Sequence, residues 1–240
     1  MHKTAARGWH GVVPHFRGCG GIDNTLPRAY HAGDSAEIAW ILAQLKGRFR
    51  TLFVSGVSLG GNMLLKYLGE YGSQALAHAA VTISVPYNLE TASEQLDRGL
   101  SRLIYTERFL STLKHNSQRL WQHHPGLFDA ERAQRSRTFR EFDEYVTAPL
   151  HGFAGAQDYW TRSSSHPFLR HIALPTLLIN AKNDPFLPAS ALPRAATLAP
   201  CIETLYPEQG GHAGFVGGRF PGHVDWLPEQ ILAHFTHHLR

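Results

Sequence analysis

The sequence predicts an α/β protein, a mostly parallel sheet with helices on both faces, and three observations predict it. Short apolar β-branched runs recur along the chain. Stretches with helical spacing lie between them. At one junction, Gly56-Val57-Ser58-Leu59-Gly60 separates a strand signal from a helix signal.

Taken in order, residues 11–16 (Gly-Val-Val-Pro-His-Phe) are a strand candidate weakened by Pro14, which cannot donate to a ladder. Asp34 and Ser35 can cap a helix whose apolar positions Ile38, Ile41, Leu42 and Leu45 recur at i, i+3, i+4 and i+7. Residues 51–57 read as a strand. A helix should start directly after Ser58 and run to about Gly69 through Met63, Leu64, Tyr67 and Leu68. Residues 79–85 and 175–180 are further buried strands, and 201–206 is a fifth candidate. Between 88 and 167 the rhythm breaks: Leu96, Leu100, Leu103, Leu110 and Leu113 keep helical spacing and no convincing strand occurs. That interval is expected to be a helical cap or lid inserted in a single domain spanning 1–240, since ligands in such folds bind beyond the carboxyl ends of the strands. The last helix should run from about Leu227 to near His238.

Composition narrows the function. Of 240 residues, 43% are hydrophobic and 18% charged, which suits a globular protein and not a disordered one. The only cysteines, Cys19 and Cys201, exclude a disulfide framework or a four-cysteine zinc site and fit a reducing cytoplasm. The polar start lacks a secretory apolar stretch, and no later run is long enough to span a membrane. The net charge of +4 is mildly basic. Arginines gather between Arg98 and Arg140, but Glu90, Glu94, Glu107, Asp129 and Glu131 are interspersed, so a solvated helical face is expected rather than nucleic-acid binding.

Gly56 to Gly60 match G-x-S-x-G, and the context carries more weight than the letters. Strand before and helix after is the setting that holds a nucleophilic serine on a sharp turn. The helix N-terminus behind Ser58 favours developing negative charge, and the Leu59 N–H is placed to donate to an oxyanion. Ser55 and Ser84 also lie near strand ends but lack flanking glycines, and packing accounts for them. A serine hydroxyl needs a base, and the base an orienting carboxylate. Asp184 follows strand 175–180, and His212, between glycines, follows strand 201–206, giving the order Ser, Asp, His.

Rivals exist among 16 histidines. His223 sits in a plausible turn and is an alternative base. His234, His237 and His238 lie at helical spacing on the last helix, where metal binding is possible in principle and a solvated, fraying end is the simpler expectation. His123 and His124 adjoin Pro125. No H-E-x-x-H or comparable cluster supports metal-assisted hydrolysis. Asp184 also fits ordinary turn chemistry, and Asp143 and Asp158 fall inside the expected lid.

Six blocks occur in order: 15–21 (HFRGCGG), 56–63 (GVSLGGNM), 140–143 (REFD), 151–153 (HGF), 181–186 (AKNDPF) and 210–215 (GGHAGF). Together they resemble the YheT-type, embryogenesis-associated branch of the α/β-hydrolase superfamily along essentially the whole chain. The resemblance implies hydrolysis of carboxylic esters, lipid-like or short acyl, by Ser58, Asp184 and His212, with a small-molecule ester as partner and no cofactor. It further implies a lengthy N-terminal part with three strands and a His-Gly loop supplying a second oxyanion donor. Here Met1 to Trp9 resemble the end of the helix after the third of those strands, so the expectation is a chain truncated at its N-terminus. Losing one oxyanion donor costs on the order of 3–4 kcal/mol in transition-state stabilisation. Activity is then expected to be impaired, and the rival readings are a catalytically impaired remnant and a basic binding module.

Overall fold

The computed structural model describes residues 2–239; Met1, which opens the stretch matched to a family helix, and Arg240 lie outside the described residues, as does the Leu100 side chain. Four strands form one sheet: β1 (Phe53–Val57), β2 (Ala79–Ile83), β3 (Thr176–Ile179) and β4 (Ile202–Leu205). Their spatial order is β1-β2-β3-β4 and every pairing is parallel. All four carboxyl ends therefore share one edge of the sheet.

Residues 11–16 do not form a strand, contrary to the expectation. Pro14 offers no N–H to a ladder, and Val12 and Val13 are exposed instead of packed. Among the described residues, β1 is thus one edge of the sheet and β4 the other.

The chain divides into two compact units, one of Met1–Pro14, Ser35–Tyr87 and Ser165–Arg240, the other of His15–Asp34 and Asn88–Ser164. In the first, helix α1 (Ser35–Lys46) buries Leu42, with Ile38, Ile41 and Leu45 half-buried beside it. Helix α2 (Leu59–Tyr71) is buried continuously from Gly61 to Gly69, so it is a core helix and not an amphipathic one. It packs on β1 and β2. Ala79, Val81 and Ile83 of β2 face the opposite layer with Leu177, Ile179, Phe215 and Phe235. There, helix α6 (Trp226–His237) stacks Phe235 on Phe53 with ring centroids 4.9 Å apart.

The second unit is helical, with α3 (Leu89–Leu96), α4 (Glu107–His123) and α5 (Ala156–Ser163) its longer pieces. Its core gathers Leu110, Leu120, Phe128, Phe142 and Val146. Asn88, Asp129 and Thr138 cap helices by accepting from the N–H groups of Thr91, Arg132 and Glu141. Leu103 departs from the expected apolar stripe and is 61% exposed. The stripe is interrupted twice: α3 ends at Leu96 and Arg98 is extended, and a π-helical turn follows at Arg102–Thr106, in which Thr106 is buried and Leu103 is not. The arginines of this unit pair with the interspersed acids, Arg98 with Glu94, Arg135 with Glu131 and Arg140 with Glu90. No helix among the described residues is long and apolar enough to cross a membrane.

Gly69 decides between two opposing effects. Alanine is favoured over glycine inside a helix by about 1 kcal/mol. A Cβ at Gly69, however, would stand 2.4 Å from the Phe168 carbonyl oxygen, a backbone atom that cannot swing away. Overpacking costs about 1–3 kcal/mol or more. Gly69→Ala is therefore expected to be destabilising, read as a lower urea midpoint at unchanged slope; a variant as stable as the parent would contradict the packing described.

Candidate active site

Ser58 lies in the turn between β1 and α2 with φ 51° and ψ −121°, a region that non-glycine residues occupy at a cost on the order of 1–3 kcal/mol. Two backbone bonds hold it there. Its N–H donates to the Ile83 carbonyl at 2.8 Å, and its own carbonyl accepts from the Asn62 N–H at 3.1 Å. The turn is tight enough to exclude side chains nearby: a Cβ on Gly56 would meet the Gly60 oxygen at 2.6 Å, and one on Gly61 the Val85 methyl at 2.5 Å. Ser58 is half-buried and so reachable from outside. Leu59 opens α2, where the first N–H groups have no intrahelical acceptor.

Asp184 follows β3, and His212 follows β4. The imidazole Nδ1 lies 3.1 and 3.0 Å from the two carboxylate oxygens. A carboxylate only accepts, so Nδ1 carries the proton and Nε2 presents a lone pair. The Asp184 side chain is 1% exposed and that of His212 20%. Asp184 Oδ1 also accepts from the Phe186 N–H at 2.8 Å, and the Phe186 ring lies 4.1 Å from the imidazole centroid.

Contacts that the sequence did not announce lace the two loops together. Asn183 Oδ1 accepts from the N–H groups of Gly210 and Gly211, both at 2.9 Å, and its amide donates to Gln209. Lys182 pairs with Glu208, and the Lys182 N–H donates to the Pro207 carbonyl. On the far side of His212, Phe215 is buried against Trp226 and returns its N–H to the Gly210 carbonyl. The blocks 181–186 and 210–215 held these residues, but one sequence gives no sign that Asn183 reaches across to residues 210 and 211.

Of the predicted residues, Asp184 and His212 are thus in direct contact, and Ser58 stands at the end of β1 on the same sheet edge. Among the described residues no hydrogen bond joins the Ser58 hydroxyl to His212; in unliganded sites such bonds are often long. The rivals are placed differently. Ser84 also has a positive φ, 54°, but is fully buried with its hydroxyl unpartnered. Nδ1 of His223 lies 3.5 Å from Asp225. His234 corrects the expectation of a solvated end, being 7% exposed. Asp158, in the first turn of α5, accepts from the Ala154 N–H and pairs with Arg162.

Asp143 belongs to the packing of the helical unit. Its carboxylate accepts from the Thr147 hydroxyl at 2.7 Å and the Trp160 indole N–H at 2.8 Å, and burial pushes its pKa up to about 6. The same unit carries a partly open pocket of about 90 Å³ lined by Tyr30, Leu120, Phe142 and His151, the last lowered by burial to a pKa of about 4.

Comparison with known proteins gives a consistent answer. A family model described as alpha/beta hydrolase fold matches residues 1–218. YheT of Escherichia coli (strain K12), whose name proposes an esterase, is 40% identical over 243 residues, covering 100% of this chain and 71% of that protein. Phospholipase ABHD3 of Mus musculus is 31% identical over 240 residues, covering 98% of this chain and 58% of that protein. Among solved structures, an alpha/beta fold family hydrolase from Bacillus anthracis str. Sterne superposes with a TM-score of 0.53 at 16% identity, covering 94% of this chain and 80% of that one. At that identity the likeness is one of fold.

The Asp143 carboxyl yields a pH prediction. Its pKa is raised in the folded protein, so between about pH 4 and pH 6 the unfolded chain gives up a proton that the folded one keeps, and stability falls as pH rises. Asp143→Asn removes this contribution. The difference between the unfolding free energies of the two proteins should change by up to about 3 kcal/mol between pH 4 and pH 7; parallel profiles would refute the assignment.

Proposed function

The chain belongs to the YheT-type branch of the alpha/beta-hydrolase family, and from that premise we propose that it is a serine hydrolase cleaving carboxylic esters with Ser58 as nucleophile, His212 as base and Asp184 as the orienting acid. The observation that carries this reading is the buried Asp184 carboxylate bound to His212 Nδ1, on the edge where β1 delivers a strained serine. In this reading the turn is a nucleophile elbow.

The mechanism follows from the groups present. Ser58 Oγ attacks the ester carbonyl carbon while its proton passes to His212 Nε2. Asp184 keeps Nδ1–H pointed away from the reaction and stabilises the imidazolium that forms. The carbonyl oxygen becomes an oxyanion, accepted by the Leu59 N–H at the amino end of α2, whose partial positive charge favours it. Collapse breaks the ester C–O bond, and the imidazolium protonates the departing alcohol. Water then repeats the sequence on the acyl-enzyme, with His212 again as base, and releases the carboxylic acid. No step calls for a cofactor.

Small acyl esters and lipid-like esters are the proposed substrates, the second drawing support from the phospholipase relative. The helical insertion between β2 and β3 in the chain, residues 88–167, is proposed as the cap that selects acyl and alcohol groups. Two free cysteines fit a reducing compartment such as the cytoplasm.

A fluorophosphonate should label the folded chain at Ser58 and fail to label Ser58→Ala; folded protein that never labels would sink the nucleophile assignment. With a p-nitrophenyl ester, Asp184→Asn should lower kcat on the order of 10⁴-fold, because the amide favours the wrong imidazole tautomer. Asn183→Ala leaves every reacting group in place and frees the loop that presents His212. It should therefore lower kcat by a smaller factor, on the order of 10-fold to 100-fold, with KM little changed.

A further inference from the structure

At the opposite end of β4 from His212, three side chains outside the proposed site converge. Glu203 is the second residue of β4, and His234 and His238 sit one turn apart at the end of α6. One ligating atom from each lies within 4.8 Å of the other two. Spacing i, i+4 puts both imidazoles on one helix face, and their rings meet at 4.7 Å in a T-shaped contact. His234 is 93% buried by its 7% exposure, yet its Nε2 has no hydrogen-bond partner, and neither has the buried Nε2 of His238. A buried polar atom left unpaired costs about 1–3 kcal/mol, so two side by side need an explanation.

We propose that Glu203, His234 and His238 form a binding site for a divalent transition-metal ion, Zn²⁺ above all, that fastens the last helix to the edge strand β4. Two imidazole nitrogens and one carboxylate are a donor set for Zn²⁺ and its neighbours, and a poor one for Mg²⁺ or Ca²⁺, which take oxygen. Tetrahedral bonds of about 2.0–2.2 Å place ligand atoms roughly 3.4 Å apart, an approach of at most about 1.4 Å from the present spacing, part of which Glu203, exposed on its strand, can supply. The ion would accept both orphaned lone pairs at once, with water in the fourth position. The carboxyl end of a twelve-residue helix also favours a cation.

The test uses the untagged full chain, stripped with a chelator and titrated with ZnCl₂ by calorimetry, with MgCl₂ as control and thermal unfolding as second readout. His234 is a core residue whose replacement endangers folding, so the variants are His238→Ala and Glu203→Gln. The proposal expects one Zn²⁺ per chain, no response to Mg²⁺, and a midpoint rise of roughly 5–10 °C at about 100 times Kd. Each variant should bind Zn²⁺ at least about 10-fold more weakly while keeping the metal-free midpoint and ester hydrolysis of the parent. Absence of stoichiometric binding, or binding equally tight in both variants, would overturn it. Because hydrolysis is measured separately, this result and the fate of the Ser58 assignment remain distinguishable.

Discussion

At Gly56 and Gly61 helix α2 comes so close to the strand before it that a single Cβ would press into backbone or into Val85. This approach sets the geometry of everything that follows along the carboxyl edge. It forces the chain to reverse at Ser58, and the reversal puts a non-glycine residue at φ 51°. A cost on the order of 1–3 kcal/mol persists there only because the neighbours over-determine the turn. The neighbours are identifiable: the Ile83 carbonyl grips the Ser58 N–H, and Asn62, fully buried one turn into the helix, accepts the Ser165 N–H through its side chain. Strain at the serine is thus balanced by burial of α2.

The opposite half of the edge uses hydrogen bonds where the first half uses packing. A buried carboxylate is tolerable only when its lone pairs are met, and Asp184 meets them with the Phe186 N–H and the His212 ring. Each bond to a charged group contributes about 1.5–3 kcal/mol, against 0–1 kcal/mol for the exposed arginine pairs of the helical unit. The order of magnitude says which interactions hold their geometry. Loop 207–212 is therefore fixed by Asp184, Asn183 and the buried Phe215, and the surface ion pair of Lys182 with Glu208 adds little.

What could be read from the sequence followed burial. The strands 53–57, 79–83, 176–179 and 202–205 were legible because a parallel sheet needs apolar β-branched runs, and α2 because a G-x-S-x-G turn opens a helix. The order Ser, Asp, His after successive strands was legible for the same reason, and the contact between Asp184 and His212 agrees with it. Failures came where a local rule met a non-local one. Residues 11–16 had strand composition but no partner strand among those described, and Pro14 tipped the balance. Leu103 fitted a 3.6-residue period that the chain breaks at the extended Arg98 and again in the π turn. Asn183 sits in a turn, yet its side chain serves a loop 27 residues further on. His234 looked solvated because the helix end is polar, and is buried beside Glu203 of β4; periodicity within one segment cannot report what covers it.

That last error bears on how the base is held. Among the described residues β4 pairs with one strand only, so its position rests on the β3 ladder and on what packs against its faces. Its carboxyl end leads into the His212 loop, while its amino end carries Glu203 beside His234 and His238. An edge strand tied at one end can still pivot, and a displacement on the order of 1 Å in a reacting group is enough to cost about 100-fold in rate. Asn183, Asp184 and Phe215 restrain the carboxyl end, and at the amino end Glu203 lies beside His234 and His238. The two sets of contacts act on the same short strand from opposite ends.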